Sequence, residues 1–323
     1  MFGKLSRLVS LVALAALSLT LVTPGQARAE FPEKPITLIV PWSSGGSGDL
    51  TCRILASHMK EVLGKPVVVK NMPGAGSMIG AQALVDAAPD GYTLGFLGIS
   101  AAIAQYTSVS PVPMDKYTAV SGVLNPPLAL LVNSETEFKT LDQFVKFAKE
   151  NPGKIKNANA GAGVIDHLYS SKFAKVSGVE FTQVPYKGWG PSLAALAGGH
   201  VDSMFVALGP AKTLIESGKI RAIAIAGDER HPSFPELPTM KSSGVDIVMP
   251  FWESIVVPAG TPADVIAKLD DAIKKSFEDP AIAKKIKDSG LDISYLNTEE
   301  IAKLRATSDS EVKVMVKEAG ISN

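Results

Sequence analysis

The sequence predicts an α/β fold made of two doubly wound lobes joined by a hinge. Short apolar strands alternate with helical periodicity along almost the whole chain. About 294 of the 323 residues follow a predicted leader, which is more than one hydrophobic core usually serves. Two stretches, near residues 126–132 and 246–254, interrupt the alternation, and we expect the chain to cross between the lobes there.

The first 29 residues have the pattern of a secretory signal peptide. A basic start with Lys4 and Arg7 precedes a mostly apolar run over residues 8–22, and residues 27–29 have the A-x-A form of a cleavage site. The run is shorter than the roughly 20 apolar residues of a membrane-spanning helix. We therefore expect cleavage near Ala29/Glu30 rather than an uncleaved anchor.

The first lobe begins with a strand, a helix and a second strand. Strands are predicted at residues 36–40 and 67–69, and the apolar residues between them fall on one face of a helix that Gly64 ends. A second helix around residues 77–88 leads through the turn signal Asp90-Gly91 to a strand at residues 93–97. This order is typical of a doubly wound unit with a parallel sheet.

The second lobe repeats the same cycle. Thr140 and Gln143 match a capping box that opens a helix closed by residues 151–153. The other elements are strands at residues 128–132, 156–160, 181–184, 201–205 and 220–226, and helices at 164–176, 191–197 and 211–217.

The last part of the chain is predicted to return to the first lobe. Residues 231–239 are proline-rich and indicate a loop, after which a strand at 254–257 precedes three helical segments starting near Pro262, Pro280 and Thr298. The resulting division is a signal peptide at residues 1–29, lobe 1 at 30–130 and 253–323, and lobe 2 at 131–252.

Charge and cysteine content exclude several classes of function. Removing Lys4, Arg7 and Arg28 from 32 cationic residues leaves 29 against 32 acidic ones, so the mature chain lacks the basic excess that nucleic-acid binding requires. Cys52 is the single cysteine and lies in a helical apolar pattern, so no internal disulfide forms and a packed thiol is expected.

Four glycine-containing turns follow predicted strands, at residues 44–49, 98–100, 161–164 and 188–190. The carboxyl ends of strands line the ligand crevice of doubly wound sheets, and three of these turns lead into predicted helices whose first N–H groups attract anions. Alternatively, the glycines only make tight turns. The candidate ligand-binding residues are Trp42, Ser43, Ser44, Gly45, Gly46, Ser47, Gly48, Asp49, Gly98, Ser100, Gly161, Ala162, Gly163, Val164, Lys187, Gly188, Trp189 and Gly190.

Other chemistries lack their motifs. Gly46 and Gly48 give G-x-G without the third glycine of a dinucleotide site or the lysine of a Walker A loop. Ser47 cannot form the nucleophile elbow G-x-S-x-G because Asp49 occupies the last position, and the four histidines show no triad spacing. No metal-ligand motif occurs. We therefore predict no catalytic residue, no metal and no cofactor.

The chain resembles the solute-binding receptors of tripartite tricarboxylate transporters, the TctC or Bug-type periplasmic proteins. The resemblance runs through the mature chain in order, in the motifs FPEKPI (31–36), VPW (40–42), NMPGAG (71–76), APDGYT (88–93), VPYKG (184–188), GGHVD (198–202) and VPAGTP (257–262).

This resemblance implies a monomeric periplasmic protein with a periplasmic binding protein type II-like fold, which does not span the membrane after cleavage of its signal. It would close on a carboxylate and deliver it to a permease with one large and one small membrane subunit. Residues 42–49 would grip one carboxylate, partly through ordered waters, and residues 161–164 and 187–190 would hold the other end. A secreted α/β hydrolase and a ligand-presenting sensory receptor are the alternatives.

Two departures from the family pattern bear on the ligand. The pair Ser47-Gly48 stands where the family often has a third glycine followed by Thr or Ser, and Val164 stands where it often has Ser. Losing that hydroxyl weakens the polar grip of the second lobe, while Trp42 and Trp189 add apolar surface. We therefore expect a ligand with an apolar or aromatic body, such as an aromatic mono- or dicarboxylate, rather than citrate.

Overall fold

The structure is a computed structural model that describes residues 30–124, 127–247, 249, 251–291 and 293–321. The predicted signal peptide and its cleavage at Ala29 lie outside these residues, as do parts of the two predicted crossings. Among the described residues, no helix combines the length and apolarity that crossing a membrane requires.

Ten strands and ten α-helices occur in the part of the chain that the structure describes. The strands are β1 (Ile36–Val40), β2 (Val67–Asn71), β3 (Thr93–Gly98), β4 (Tyr117–Leu124), β5 (Leu128–Asn133), β6 (Ile155–Asn159), β7 (Phe181–Pro185), β8 (Ser203–Ala207), β9 (Ile220–Ile225) and β10 (Glu253–Pro258). The helices are α1 (Ser47–Leu63), α2 (Met78–Val85), α3 (Ile99–Thr107), α4 (Leu141–Glu150), α5 (Ile165–Ser177), α6 (Trp189–Ala197), α7 (Leu208–Glu216), α8 (Ala263–Glu278), α9 (Pro280–Ser289) and α10 (Thr298–Ala319).

The strands form two five-stranded sheets, which define the two lobes. The first sheet has the order β2-β1-β3-β10-β4 and the second has the order β7-β6-β8-β5-β9. This two-lobed α/β arrangement confirms the predicted fold class. The whole of β5 lies in the second sheet, so the change of sheet falls between Leu124 and Leu128, just before the proposed lobe boundary at residue 130.

Both sheets are mixed, and the first three strands, for which a parallel sheet was predicted, do pair in parallel. β1 pairs in parallel with β2 and β3, and β6 with β7 and β8, as strand–helix alternation predicts. β10 returns from the second lobe and inserts between β3 and β4, antiparallel to both, and β5 is antiparallel to β8 and β9. The strands that carry the glycine turns at residues 44–49 and 161–164 remain parallel to their neighbours.

The last three helices pack mainly on the first sheet and the helices beside it. In α10, Thr298 donates a hydrogen bond to the carbonyl of Val120 in β4, and Ser308 accepts one from Trp252 Nε1. One of these helices also contacts the second lobe: Lys212 Nζ in α7 donates a hydrogen bond to the carbonyl of Asp288 in α9.

Local signals match the observed elements. Gly64 ends α1 in the left-handed conformation at φ 68°, and Thr140 Oγ1 accepts from Gln143 N at the start of α4. Cys52 is fully buried in α1, which confirms the expected packed thiol.

Candidate functional site

A cavity lies between the two lobes where the glycine turns of both sheets meet. It is lined by Trp42, Gly46, Ser47, Gly48, Phe96, Ser100, Ala160, Val164, Ile165, Asp166, Trp189, Phe251 and Glu253. Its free volume is about 30 Å³ with the lobes in contact, which holds one or two water molecules. A carboxylate of several carbons therefore enters only when the lobes separate or their side chains rearrange.

Four helices begin at this cavity or beside it: α1, α3, α5 and α6. Their N-cap residues are Gly46, Gly98, Val164 and Gly188, and none supplies a side-chain hydrogen bond to the first turn. The first N–H groups of a helix have no partner within it, so all four turns present the positive ends of helix dipoles. At two of them the first N–H has a partner outside the helix: Ile99 N donates to the carbonyl of Trp252 and Ile165 N to Ser100 Oγ. Thr140, Asp279 and Asn297, which cap helices away from the cavity, do provide such bonds.

The two lobes touch through main-chain atoms of the predicted loops. Ser43 N donates to the carbonyl of Lys187 at 3.0 Å, and Ile165 N donates to Ser100 Oγ at 3.4 Å. Thr107 Oγ1 adds a third bond, to the carbonyl of Gly163 at 3.1 Å. The two lobes are thus in contact along the edges of the cavity.

Glycines allow this close approach. A Cβ at Gly190 would overlap the carbonyl oxygen of Ser44, well inside the 3.0 Å limit that Cβ contacts essentially never cross. A Cβ at Gly188, whose φ is 125°, would meet Ser43 N at 3.2 Å. A Cβ at Gly46 would make only an ordinary 3.6 Å contact with Trp189 Cβ. Contact between the lobes therefore requires small residues at 188 and 190, and the positive φ at 188 separately favours glycine.

Asp49 holds the first loop in shape and does not line the cavity. Its carboxylate accepts from Gly45 N at 3.1 Å, from Asn71 Nδ2 at 3.0 Å and from Arg53 Nε at 3.1 Å. Burial raises the pKa of Asp49, but the hydrogen bonds from Arg53, Asn71 and Gly45 outweigh burial and hold the pKa below its ordinary value. Asp49 therefore positions the loop, and its partners Arg53 and Asn71 were missed by sequence reasoning.

Two buried acids line the cavity, and neither was among the candidates. Asp166, in the first turn of α5, is fully buried; its Oδ2 accepts from Ala160 N at 2.8 Å and from Trp189 Nε1 at 3.0 Å. Its Oδ1 is buried and has no hydrogen-bond partner among the described residues. Burial outweighs the two hydrogen bonds and raises the pKa of Asp166 to about 7.

Glu253 starts β10 and reaches the cavity from the first lobe. It is 6% exposed, and burial raises the pKa of its carboxyl to about 8. Its carboxyl lies against Gly98, where a Cβ would overlap Oε2, so a glycine at residue 98 leaves room for it. A carboxyl group in an otherwise apolar strand was the sequence signal that could have identified this residue.

Aromatic side chains form much of the remaining wall. Trp42, Phe96, Trp189 and Phe251 all line the cavity. The rings of Trp189 and Phe251 stack with centroids 6.0 Å apart and an interplanar angle of 28°. The hydrogen bond from Trp189 to Asp166 fixes the indole between the acid and Phe251.

The structure places the sequence-predicted candidates in two groups. Seven line the cavity: Trp42, Gly46, Ser47, Gly48, Ser100, Val164 and Trp189. The others form the loops behind the cavity or the contact between the lobes: Ser43, Ser44, Gly45, Asp49, Gly98, Gly161, Ala162, Gly163, Lys187, Gly188 and Gly190. The side chain of Lys187 is exposed, and it is the carbonyl of this residue that bonds to the first lobe. In the described part of the chain, no group of His, Cys, Asp and Glu is arranged to hold a metal ion.

Comparison with known proteins shows what this arrangement is similar to. The family model TctC, described as the tripartite tricarboxylate transporter family receptor, matches residues 51–321. The periplasmic binding protein BugD is 30% identical with a TM-score of 0.85, over 90% of this chain and 99% of BugD.

Two similar structures contain carboxylates. Rpa4515 of R. palustris, solved with adipate, is 26% identical with a TM-score of 0.87, over 91% of this chain and 99% of that protein. MatC (Rpa3494) of Rhodopseudomonas palustris, solved with bound malate, is 28% identical with a TM-score of 0.79, over 88% of this chain and 100% of MatC.

Proposed function

Because the chain belongs to the TctC family of tripartite tricarboxylate transporter receptors, we propose that it captures a small carboxylate between its lobes for a membrane permease with one large and one small subunit. Binding proceeds without chemical conversion of the ligand. The mature protein acts as a monomer in the periplasm, where such a receptor meets its solute.

The convergence of four helix starts without side-chain caps on one interlobe cavity carries this proposal. Each start contributes roughly 0.3–1 kcal/mol to holding an anion, and more where it is partly buried. Hydroxyls of Ser47 and Ser100 add neutral donors at the cavity wall. Micromolar affinity needs about −8 kcal/mol, and charge-assisted hydrogen bonds to the backbone supply the rest against desolvation.

The apolar part of the wall limits the ligand. Trp42, Phe96, Phe251 and Val164 line the cavity, and no Lys or Arg does so among the described residues. Citrate carries three carboxylates, and the cavity offers too few donors for them. We therefore propose a ligand with an apolar or aromatic body, such as an aromatic mono- or dicarboxylate, in preference to citrate.

Calorimetry on ligand-free protein tests the proposal with adipate, malate, phthalate, benzoate and citrate as probes. We expect at least one of the first four acids to bind with micromolar affinity and citrate to bind far more weakly. Ser100→Ala should weaken that binding about five- to tenfold because it removes a cavity hydroxyl and the interlobe bond to Ile165. The control Ser110→Ala, on the exposed surface, should leave affinity unchanged. Absence of heat with every acid would refute the proposal.

Hydrolysis is the alternative from another class, and a Ser–His–Asp chain does occur. Ser276 Oγ lies 3.1 Å from His58 Nδ1, and His58 Nε2 lies 3.5 Å from Asp279. Ser276 is fully buried, however, and its hydroxyl donates to the carbonyl of Ala272 at 2.8 Å. A nucleophile must reach its substrate, so the Ser276–His58–Asp279 series is better explained as packing between helices. Turnover of a chromogenic ester, abolished by Ser276→Ala, would favour the hydrolase.

A sensory receptor would use the same cavity. A carboxylate-dependent complex with the large and small permease subunits, rather than with a membrane kinase, is the result expected for transport.

A further inference from the structure

The charges around the cavity do not match those of a simple dianion. Asp166 and Glu253 contribute carboxyl groups to its wall, from opposite lobes. Among the described residues that line it, none is Lys, Arg or His. Burial raises the pKa of both acids, and a ligand carboxylate placed against them would raise it further, whereas a ligand ammonium group would lower it and bind their ionised forms.

Asp166 also has an unused acceptor. Its Oδ2 is occupied by Ala160 N and Trp189 Nε1, while Oδ1 is buried without a partner among the described residues. A buried polar atom without a partner is costly, so a donor supplied by a ligand would remove that cost.

The aromatic wall favours the same kind of group. Trp42, Phe96, Trp189 and Phe251 line the same cavity as the two acids. Aromatic faces attract cations, and the attraction strengthens when water is excluded. An ammonium nitrogen thus finds carboxylates and ring faces together.

We infer that the ligand of this receptor is a zwitterion, with a carboxylate held by the uncapped helix starts and an ammonium group held by Asp166, Glu253 and the surrounding rings. This inference rests on the proposed function and narrows its ligand class. Asp166 and Glu253 then determine specificity, and the helix starts bind the carboxylate that the whole class shares.

Matched pairs of small ligands test this inference on wild-type protein freed of bound solute by unfolding and refolding. Succinate and 4-aminobutanoate have similar lengths, as do adipate and 6-aminohexanoate, and within each pair one end changes from carboxylate to ammonium. Calorimetry at pH 7.5 should show the amino acid binding about tenfold or more tightly than the diacid in at least one pair.

The variants Asp166→Asn and Glu253→Gln locate the effect. Each keeps the shape of its side chain but cannot ionise when an ammonium group binds, so each should narrow or reverse the preference within a pair. Glu150→Gln, which makes the same change on the exposed surface of α4, is the matched control and should leave the preference unchanged. The comparison within each pair uses wild-type protein and does not depend on the variants folding.

The outcomes separate this inference from the proposed function. Tighter binding of the diacid in both pairs would overturn the inference and leave carboxylate capture standing. A preference for the amino acid that both isosteric variants retain would also overturn it, because other groups would then hold the ammonium. Absence of binding by all four probes would count against the inference and the proposed function together.

Discussion

Replacing Gly190 by alanine should weaken ligand binding by holding the lobes apart. Gly190 lies in the first turn of α6 and has no left-handed φ, so alanine fits the helix itself. In the closed arrangement, however, its Cβ would overlap the backbone carbonyl oxygen of Ser44. Backbone cannot rotate away as a flexible side chain can, so the lobes must separate.

The size of the effect follows from the geometry. Restoring an ordinary contact of 3.4 Å requires the two loops to move apart by roughly 1 Å. The hydrogen bond from Ser43 N to the carbonyl of Lys187, now 3.0 Å long, would then exceed hydrogen-bond length. Loss of that bond and the strain of residual overlap together cost the closed state about 2–3 kcal/mol. Ligand affinity should therefore fall about 30- to 150-fold.

The substitution should have little effect on the stability of the protein when the lobes are apart. Alanine is the better helix former, but at residue 190 it precedes Pro191, which disfavours helical backbone before it, so the free energy of unfolding of the ligand-free variant should change by less than about 1 kcal/mol. Calorimetry gives the affinity, urea denaturation gives the stability, and small-angle scattering shows whether saturating ligand still compacts the protein.

Gly46→Ala is the matched control. It introduces the same methyl group on the facing loop, but at a 3.6 Å contact that needs no movement. We expect its affinity to lie within about threefold of wild type. If Gly190→Ala binds as tightly as wild type, or if both variants lose affinity equally, the closed contact between residues 44 and 190 does not control binding.

Three further predictions concern single side chains. Glu253→Gln should stabilise the ligand-free protein at alkaline pH. The pKa of Glu253 is about 8 in the folded protein and ordinarily 4.5, so the wild type loses stability as the pH rises from 4.5 to 8. The loss is roughly 5 kcal/mol at most. Urea titrations should show little difference between variant and wild type at pH 4.5 and a clear gain at pH 9, and equal curves at both would contradict burial of this acid. Asp49→Asn should lower the free energy of unfolding by about 1–3 kcal/mol, because an amide cannot accept all the bonds from Gly45, Asn71 and Arg53; unchanged urea midpoints would show that the loop holds itself. Lys187→Ala should change affinity by less than about threefold and only at low salt, since the side chain is exposed; a large loss at physiological salt would place this cation in the site.

The sequence predicted elements best where hydrophobic pattern and turn chemistry agree. β1 has its predicted bounds because five consecutive apolar or β-favouring residues end at Pro41. α3 was not predicted, because residues 99–104 are all buried and a helix without a polar face has no periodicity to detect. All four glycine turns consequently lead into helices, one more than predicted.

The sequence predicted the glycine turns around the candidate site but not the acidic side chains of its wall. Glycine turns at strand ends indicated where anion-binding main chain would gather. Asp166 stands in the first turn of a helix, where acids commonly balance the dipole, so its position carried no special signal. The direction of Lys187 away from the cavity depends on the loop around Gly188 and could not be inferred from spacing.

Contact between the lobes and contact with the ligand involve largely separate sets of atoms in this receptor, with Ser100 belonging to both. The contact between the lobes consists largely of main-chain groups beside glycines, whereas side chains such as those of Asp166, Glu253 and Phe251 line the cavity. The residues that line the cavity can therefore be substituted to fit a new solute while the contacts that hold the lobes together are kept. A biosensor that reports contact between the lobes could be adapted to other solutes without changing the glycine loops that form this contact.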